Sequence, residues 1–136
     1  MGAGRPVVPA PDDPWDGELD EALHVQPDLH HEPYVFAAAQ APPGVSPFAL
    51  ILEDEGPTLI LTRADADQSG LAYDYVAARI TLRVNSRLTD VGLTARFSRT
   101  LAMSGIGCNV IAGLAHDHLF VPWDQRSQAL TLLREL

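Results

Sequence analysis

The chain of 136 residues has a single cysteine, no lysine and no long apolar run. Because Cys108 has no second cysteine to pair with, an internal disulfide is excluded, which fits a reducing compartment. No apolar stretch approaches the roughly 18 residues that a membrane-spanning helix needs, and the N-terminus has no basic segment followed by an apolar one. We therefore expect a cytoplasmic protein without a membrane partner.

The excess of negative charge is concentrated near the N-terminus. The net charge is −9, and eight of the 18 acids but only one of the nine Arg residues lie in residues 1–32. Residues 33–136 are therefore close to neutral, and they contain no basic stripe. Since binding to a phosphate backbone needs clustered Lys or Arg, we expect no nucleic-acid partner.

Length and composition indicate one ordinary domain, or two very small ones that share a sheet. The apolar content of 46% is typical of a chain that buries a core. Residues 1–17 are rich in Pro, Gly and Asp, and they hold too little apolar surface to offset the entropy lost on ordering. We predict that this segment is a disordered acidic tail and that a short helix follows at residues 18–25.

Residues 80–122 are predicted to form one β-α-β-β unit around which the rest of the chain is arranged. The strand is predicted at residues 73–84. It is predicted from a period-two pattern over residues 76–85, which is typical of a strand with one buried face. In this pattern Val76, Ala78, Ile80, Leu82 and Val84 alternate with Ala77, Arg79, Thr81, Arg83 and Asn85. Apolar residues at four-residue spacing then predict a helix, namely Leu93, Phe97 and Leu101.

The ends of this helix carry capping residues. Its start can be capped by Asn85, Ser86 or Thr89, and Gly105 supplies a left-handed stop. The next strand is predicted from three residues in register, Ile106, Cys108 and Val110. A last strand is predicted at residues 118–121.

The residues before this unit predict a shortened copy of the same pattern. Its elements are strands at 34–39, 48–53 and 58–61, then a helix at 63–69 capped by Thr62 and ended by Gly70. The Pro-rich connection at 40–47 cannot form a helix. At the other end, an amphipathic helix from Asp124 reaches the last residue without a final strand. Because both halves are incomplete, we expect a strand of the first half to lie beside the open edge of the second.

Three stretches of the sequence resemble a known family. The run GLTARFSRTLAMSGIG at 92–107 is similar to the signature of the ACT domain, a small βαββαβ ligand-binding fold. The runs EPYVFA and NVIAGLAHDHLFVP resemble a narrower group of small, free-standing bacterial proteins with two ACT-like halves. The resemblance implies an α+β, ferredoxin-like ACT fold with two tandem halves, whose antiparallel sheets pack against helices. We assign residues 18–75 to an abbreviated N-terminal half and 76–136 to a C-terminal ACT domain.

The junction between the strand at 73–84 and the following helix is the predicted binding site. A turn that leads into a helix start exposes free backbone N–H groups and the positive end of the helix dipole, which suits a carboxylate. The resemblance implies that an amino acid binds between this turn and the second strand of a neighbouring copy. The implied ligand-binding residues are Asn85, Ser86, Leu88, Val91 and Gly92 on one side and Ile106, Gly107, Cys108 and Asn109 on the other. Asn109 can accept a hydrogen bond from an α-ammonium group, and Gly92 lets a ligand approach the backbone.

Two features of this site leave open the alternative that its residues are structural and bind no ligand. The turn NSRLTDVG lacks the Asp-x-Pro-Gly sequence that is common in sensory ACT domains. Ser86 and Asp90 can also serve only to cap the helix, and Gly105 only to end it.

Histidines form two groups that could suggest a metal. In a strand, His116 and His118 project to the same face, but two ligands are too few for a structural zinc site. His24, His30 and His31 show neither an i,i+4 pair nor a Cys partner. We favour packing and connector roles for both groups, predict no metal and no cofactor, and interpret Cys108 as a core residue rather than a nucleophile.

Three functional hypotheses follow. The leading one is a non-catalytic regulatory module that binds an amino acid or a similar small metabolite and acts as a homodimer. The second is an ACT-like oligomerisation scaffold that binds no ligand. The third is a metal-dependent enzyme that uses His116 and His118.

Overall fold

The computed structural model describes residues 25–84 and 91–136. Within them lie six strands and three α-helices: β1 (Pro27–Ala38), β2 (Ala49–Glu53), β3 (Gly56–Thr62), α1 (Arg63–Gln68), β4 (Val76–Leu82), α2 (Leu93–Met103), β5 (Asn109–Ala112), β6 (Asp117–Pro122), a 3-10 helix (Trp123–Gln125) and α3 (Arg126–Arg134). No helix in the described ranges is both long and apolar enough to cross a bilayer. The predicted tail at 1–17 and nearly all of the helix predicted at 18–25 lie outside these ranges.

The six strands form one sheet in the order β2-β3-β1-β4-β6-β5, and every neighbouring pair is antiparallel. Strands β1 and β4 lie side by side at its centre, with Tyr34 opposite Ala77. The first half therefore has the order β4-β1-β3-β2 and the second half the order β1-β4-β6-β5, so each supplies the other's fourth strand. This arrangement confirms the α+β, ferredoxin-like fold and the expected pairing between the halves. The domain boundary at residues 75 and 76 stays a prediction.

All three described helices cover the same face of the sheet. On this face, α2 and α3 pack on β4 and β6 through fully buried side chains such as Phe97 and Leu119. Helix α1 packs on β1 and β3 beside Val35 and Leu61. Each fully buried Leu or Phe contributes about 1.5–3 kcal/mol relative to an exposed one, so this layer is the main source of stability.

The start and end of α2 differ in how well the sequence predicts them. The helix begins at Leu93 after Gly92, which has φ 104° and makes no side-chain cap hydrogen bond. The prediction that Asn85, Ser86 or Thr89 caps α2 is therefore wrong, because the helix begins only after Gly92; these three residues lie outside the described ranges.

The predicted stop at Gly105 is confirmed. Gly105 has φ 72°, and its N–H donates to the Ala102 carbonyl at 3.0 Å. The Ile106 N–H donates to the Leu101 carbonyl at 3.0 Å, and both side chains are buried in the same core. These two bonds and this contact form a Schellman motif, which satisfies the last carbonyls of the helix.

Replacing Gly105 with Ala is expected to lower the free energy of unfolding by about 1–2 kcal/mol, because an L-residue is strained at positive φ. An added Cβ would meet no heavy atom within 4 Å, so the cost is conformational. Gly107→Ala is the matched control, since Gly107 is equally unobstructed but does not adopt a positive φ. Urea denaturation measures both, and equal losses would contradict this explanation.

The bounds of other elements, among them β1, β4 and β5, also differ from the predictions. Strand β1 begins at Pro27 rather than residue 34, so His30 and His31 belong to a strand and not to a connector. Strand β4 is shorter than predicted, and β5 begins at Asn109 rather than Ile106. By contrast, the start of α1 is confirmed, because the Asp65 N–H donates to the Thr62 hydroxyl at 3.2 Å.

Candidate functional site

The first part of the predicted site is the start of α2. Val91 is 57% exposed, and the Gly92 carbonyl accepts the first hydrogen bond of the helix, from the Arg96 N–H at 3.0 Å. Asn85, Ser86 and Leu88 lie outside the described residues. The exposed entry to this 11-residue helix is compatible with the predicted anion-binding role.

The second part is the segment that enters β5. Gly107 and Asn109 are exposed and Cys108 is half-buried, whereas Ile106 is 2% exposed and its side chain lies in the core under α2. Ile106 can therefore offer a ligand only its backbone. Burial raises the pKa of Cys108 to about 11, so its thiol is protonated at neutral pH, which favours a packing role over a nucleophilic one.

Within one chain, the two parts lie at opposite ends of α2. The helix between them has 11 residues and spans about 16 Å. The sheet shows the same separation. The end of β5 pairs with Asp117, which lies opposite Leu82 at the end of β4, and β4 leads toward the start of α2. Asn109, at the start of β5, instead pairs with Phe120, which lies opposite Arg79 nearer the start of β4. The residues that the sequence predicts together are thus not brought together by one copy of the described chain.

A shallow cavity of about 360 Å³ lies near the second part. Its lining residues are Arg63, Asp74, Tyr75, Val76, Pro122, Trp123 and Asp124. The Asn109 side chain lies beside the Tyr75 hydroxyl, whose pKa is raised by burial. With one cation, two carboxylates and two aromatic rings, the cavity has groups of both charges for a zwitterion.

Sequence reasoning missed this cavity. Its residues come from the start of α1, from the start of β4 and the two residues before it, and from the end of β6 and the 3-10 helix that follows. The sheet order brings these three places together. The local pattern carries no signal for it, because Asp74 falls within the strand predicted at 73–84 and Asp124 at the start of the last predicted helix.

The histidines do not form a metal centre within residues 25–84 and 91–136, where no group of three possible metal ligands occurs. His118 lies in β6 on the sheet face opposite the helices, and its Nδ1 is 2.9 Å from the Thr81 hydroxyl. His30 Nε2 is also 2.9 Å from that hydroxyl. The packing role that we favoured for His118 agrees with these contacts, and His24 lies outside the described ranges.

Comparison with known proteins gives a family and a fold. A family model for the ACT domain matches residues 18–78. A solved structure from Vibrio cholerae, of a protein of unknown function described as a possible transport protein, is 40% identical, covers 82% of this chain and 88% of its own, and superposes with a TM-score of 0.76. No curated protein matches the sequence.

Two more distant structures share the fold. The ligand-free regulatory subunit of aspartate kinase from Thermus thermophilus is 9% identical, with a TM-score of 0.64 over 85% of this chain and 97% of that one. Aspartokinase α and β subunits are 12% identical, with a TM-score of 0.62 over 82% and 97% of the two chains. At such low identity these likenesses show the arrangement of strands and helices alone.

Proposed function

The chain belongs to the ACT domain family, and from this premise we propose that it is a non-catalytic regulatory module that binds an amino acid or a similar small metabolite. The proposal includes a cytoplasmic location and a homodimer. It is supported by the free edge of β5, which leaves the start of that strand exposed. The regulatory subunit of aspartate kinase, which has a similar fold, agrees with this role but does not identify the ligand.

The register of the sheet supports the proposal of a site shared by two copies. Strand β5 is an edge strand, and its outer side pairs with no other described strand. If two copies pair antiparallel along β5, the first residue of one strand lies opposite the last residue of the other. Asn109 of one copy then lies near Ala112 of its partner, at the end of the sheet where β4 leads toward α2. In this pairing the two predicted parts of the site, one from each copy, approach each other.

Each part would bind one end of an amino acid. The N–H groups at the start of α2 suit the α-carboxylate, and the Asn109 side-chain oxygen accepts a hydrogen bond from the α-ammonium. Gly107 and Val91 are exposed, and neither Gly107 nor Gly92 has a side chain, so a ligand has room beside the backbone at both parts of the site. Ile106 and Cys108 then support the site by packing from below.

A ligand-free oligomerisation scaffold is the second candidate, and one observation favours it. Strand β2, at the opposite edge of the sheet, exposes Leu50 and Leu52, which are 52% and 80% accessible. Apolar side chains on a free edge are suited to association with another chain.

A thermal shift scan over the amino acids tests the leading proposal. At least one amino acid is expected to raise the melting temperature, because binding to the native state alone stabilises it by about 2.7 kcal/mol at a hundredfold excess over Kd. Asn109→Ala should abolish that shift, whereas light scattering should show a dimer in both proteins. If no amino acid has an effect, the scaffold is favoured.

Asp124→Asn serves as the matched control, since Asp124 lines the cavity and lies outside the predicted site. We expect it to retain the shift. Loss of the shift in Asp124→Asn together with its retention in Asn109→Ala would contradict the proposed site and move it to the cavity.

A further inference from the structure

A cluster of polar and aromatic side chains lies on one face of the sheet. The described helices cover the other face. The residues of the cluster come from β1, β4 and β6 and from the residue before β2: His30, Tyr34, Phe48, Arg79, Thr81, His118 and Phe120. Thr81 and Phe120 are fully buried on this face even though no described helix covers them. We call these seven residues the open-face cluster.

Arg79 is the only permanently charged side chain in the open-face cluster. Its Nη1 donates to the Tyr34 hydroxyl at 3.0 Å, and its guanidinium carbon lies 3.9 Å from the centre of the Phe48 ring. Its Nε is buried and has no hydrogen-bond partner among the described residues. A buried donor without a partner costs free energy, so this geometry favours a bound acceptor.

No described carboxylate is available to be that acceptor. The two ion pairs found in the described ranges join Arg63 to Asp67 and Arg83 to Asp28. Asp28 lies in β1 and is bound by Arg83, and this hydrogen bond, at 2.9 Å, holds the pKa of Asp28 below the usual range. Arg79 therefore forms no ion pair within the described part of the chain, although it interacts with the charge of Asp28 from a distance.

The two histidines next to Arg79 share one hydroxyl group. His30 Nε2 and His118 Nδ1 each lie 2.9 Å from the Thr81 oxygen, which can donate one hydrogen bond and accept from the other ring. This arrangement fixes both imidazoles and leaves the second nitrogen of each ring for another partner. His116 Nδ1, close in sequence, is also buried without a partner in the described ranges.

Both imidazoles are neutral at pH 7. Burial, followed by the charge of Arg79, lowers the pKa of His118 to about 4, and the same two causes lower the pKa of His30. Other positive groups, Arg83 and His116, act on His118 in the same direction, and no acid opposes them there. A bound anion would reverse this imbalance.

We propose that Arg79, together with His118 and His30, binds an oxyanion, the carboxylate or phosphate group of a small molecule, on the open face of the sheet. The Nε–H and Nη2–H groups of an Arg point the same way and match two oxygens of such a group. Nη1 is already held by Tyr34, and stacking on Phe48 fixes the plane of the guanidinium. The site is independent of the one proposed for amino acids, because it lies on the central strands and uses none of those residues.

Imidazole NMR signals of the full chain, followed during titration at constant ionic strength with sodium acetate and, separately, with inorganic phosphate, test this site. We expect saturable shifts of the His118 and His30 signals and a higher pKa for His118 at saturation. Acetate alone would identify a carboxylate site, phosphate alone a phosphate site, and both together a general oxyanion site.

Arg79→Gln should weaken binding at least tenfold, about 1.4 kcal/mol. Arg134→Gln, at the exposed end of α3, is the matched control and should bind like the wild type. If Arg79→Gln does not fold, Arg79→Lys keeps the charge but not the two parallel donors, and it should still bind more weakly. Shifts that do not saturate, or that are equal in the wild type and both Arg79 variants, would overturn the proposal.

Discussion

Replacing Phe97 with Ala is expected to lower the free energy of unfolding by about 3–5 kcal/mol, the range found for large-to-small substitutions of buried aromatic residues. Phe97 lies in the middle of α2, is 0% exposed and packs against the buried side chains of β4 and β6. Its loss removes apolar burial and leaves a cavity that a sheet packed on one side cannot easily fill. Urea denaturation of the two proteins measures the difference.

Two substitutions control for effects on helix formation alone. Phe97→Leu keeps most of the buried volume and should cost less than about 1.5 kcal/mol. Met103→Ala, on the same helix but 80% exposed, should change stability by no more than about 0.5 kcal/mol. A large loss in Met103→Ala would mean that this end of α2 is covered, for example by a second copy.

Replacing Val35 with Asp is expected to unfold both halves of the chain together, with a loss of at least about 4 kcal/mol, because it buries an unpaired carboxylate. Val35 is 0% exposed in β1, in the core under α1. Since β1 also pairs with β4, the damage should reach the second half. Amide hydrogen exchange should therefore show loss of protection in α2 as well as in β3.

The alternative outcome is informative. If the amides of α2 stay protected while those of β3 exchange freely, the halves are independent units, and the shared-strand interpretation is wrong. Leu52→Asp introduces the same charge on β2 at a side chain that is 80% exposed. It should leave stability within about 0.5 kcal/mol of the wild type.

The sequence predicts the elements whose burial pattern is regular. Leu93, Phe97 and Leu101 predict α2 through their spacing, and all three are buried. Gly105 predicts the end of α2 because only glycine adopts its φ without strain. The sequence also predicts that the Pro-rich connection at 40–47 forms no helix and that each half is incomplete. From this incompleteness we expected a strand of one half to pair with the other half.

The elements that were predicted poorly depend on tertiary partners. Residues His30 to Pro33 have no alternation, yet they belong to β1 because β4 lies beside them and a register shift accommodates the extra residues. Thr81 alternates with apolar neighbours and therefore reads as solvent-facing, but the aromatic rings of the second sheet face bury it completely. Period-two alternation indicates that two faces exist, and it does not show that both are covered.

The candidate site stays a prediction, and the sequence did not indicate how its two parts are arranged in the fold. Asn109 is exposed, as a ligand contact requires, because β5 is at the edge of the sheet. That the α2 start and Asn109 lie on opposite sides of the second half follows only from the register of β4, β6 and β5. The cavity and the surroundings of Arg79 likewise combine residues far apart in the chain, so local patterns carry no trace of them.

The central position of β1 also bears on how the chain folds during synthesis. Of the described strands, β1 leaves the ribosome first, but its neighbours β3 and β4 end at Thr62 and Leu82, and β4 in turn waits for β6, which ends at Pro122. Pairings between residues so far apart close slowly, because long loops must form before any contact rewards them. Until Pro122 has emerged, a nascent chain therefore carries β4 with one edge unpaired, and we expect chaperone binding to be concentrated on that strand.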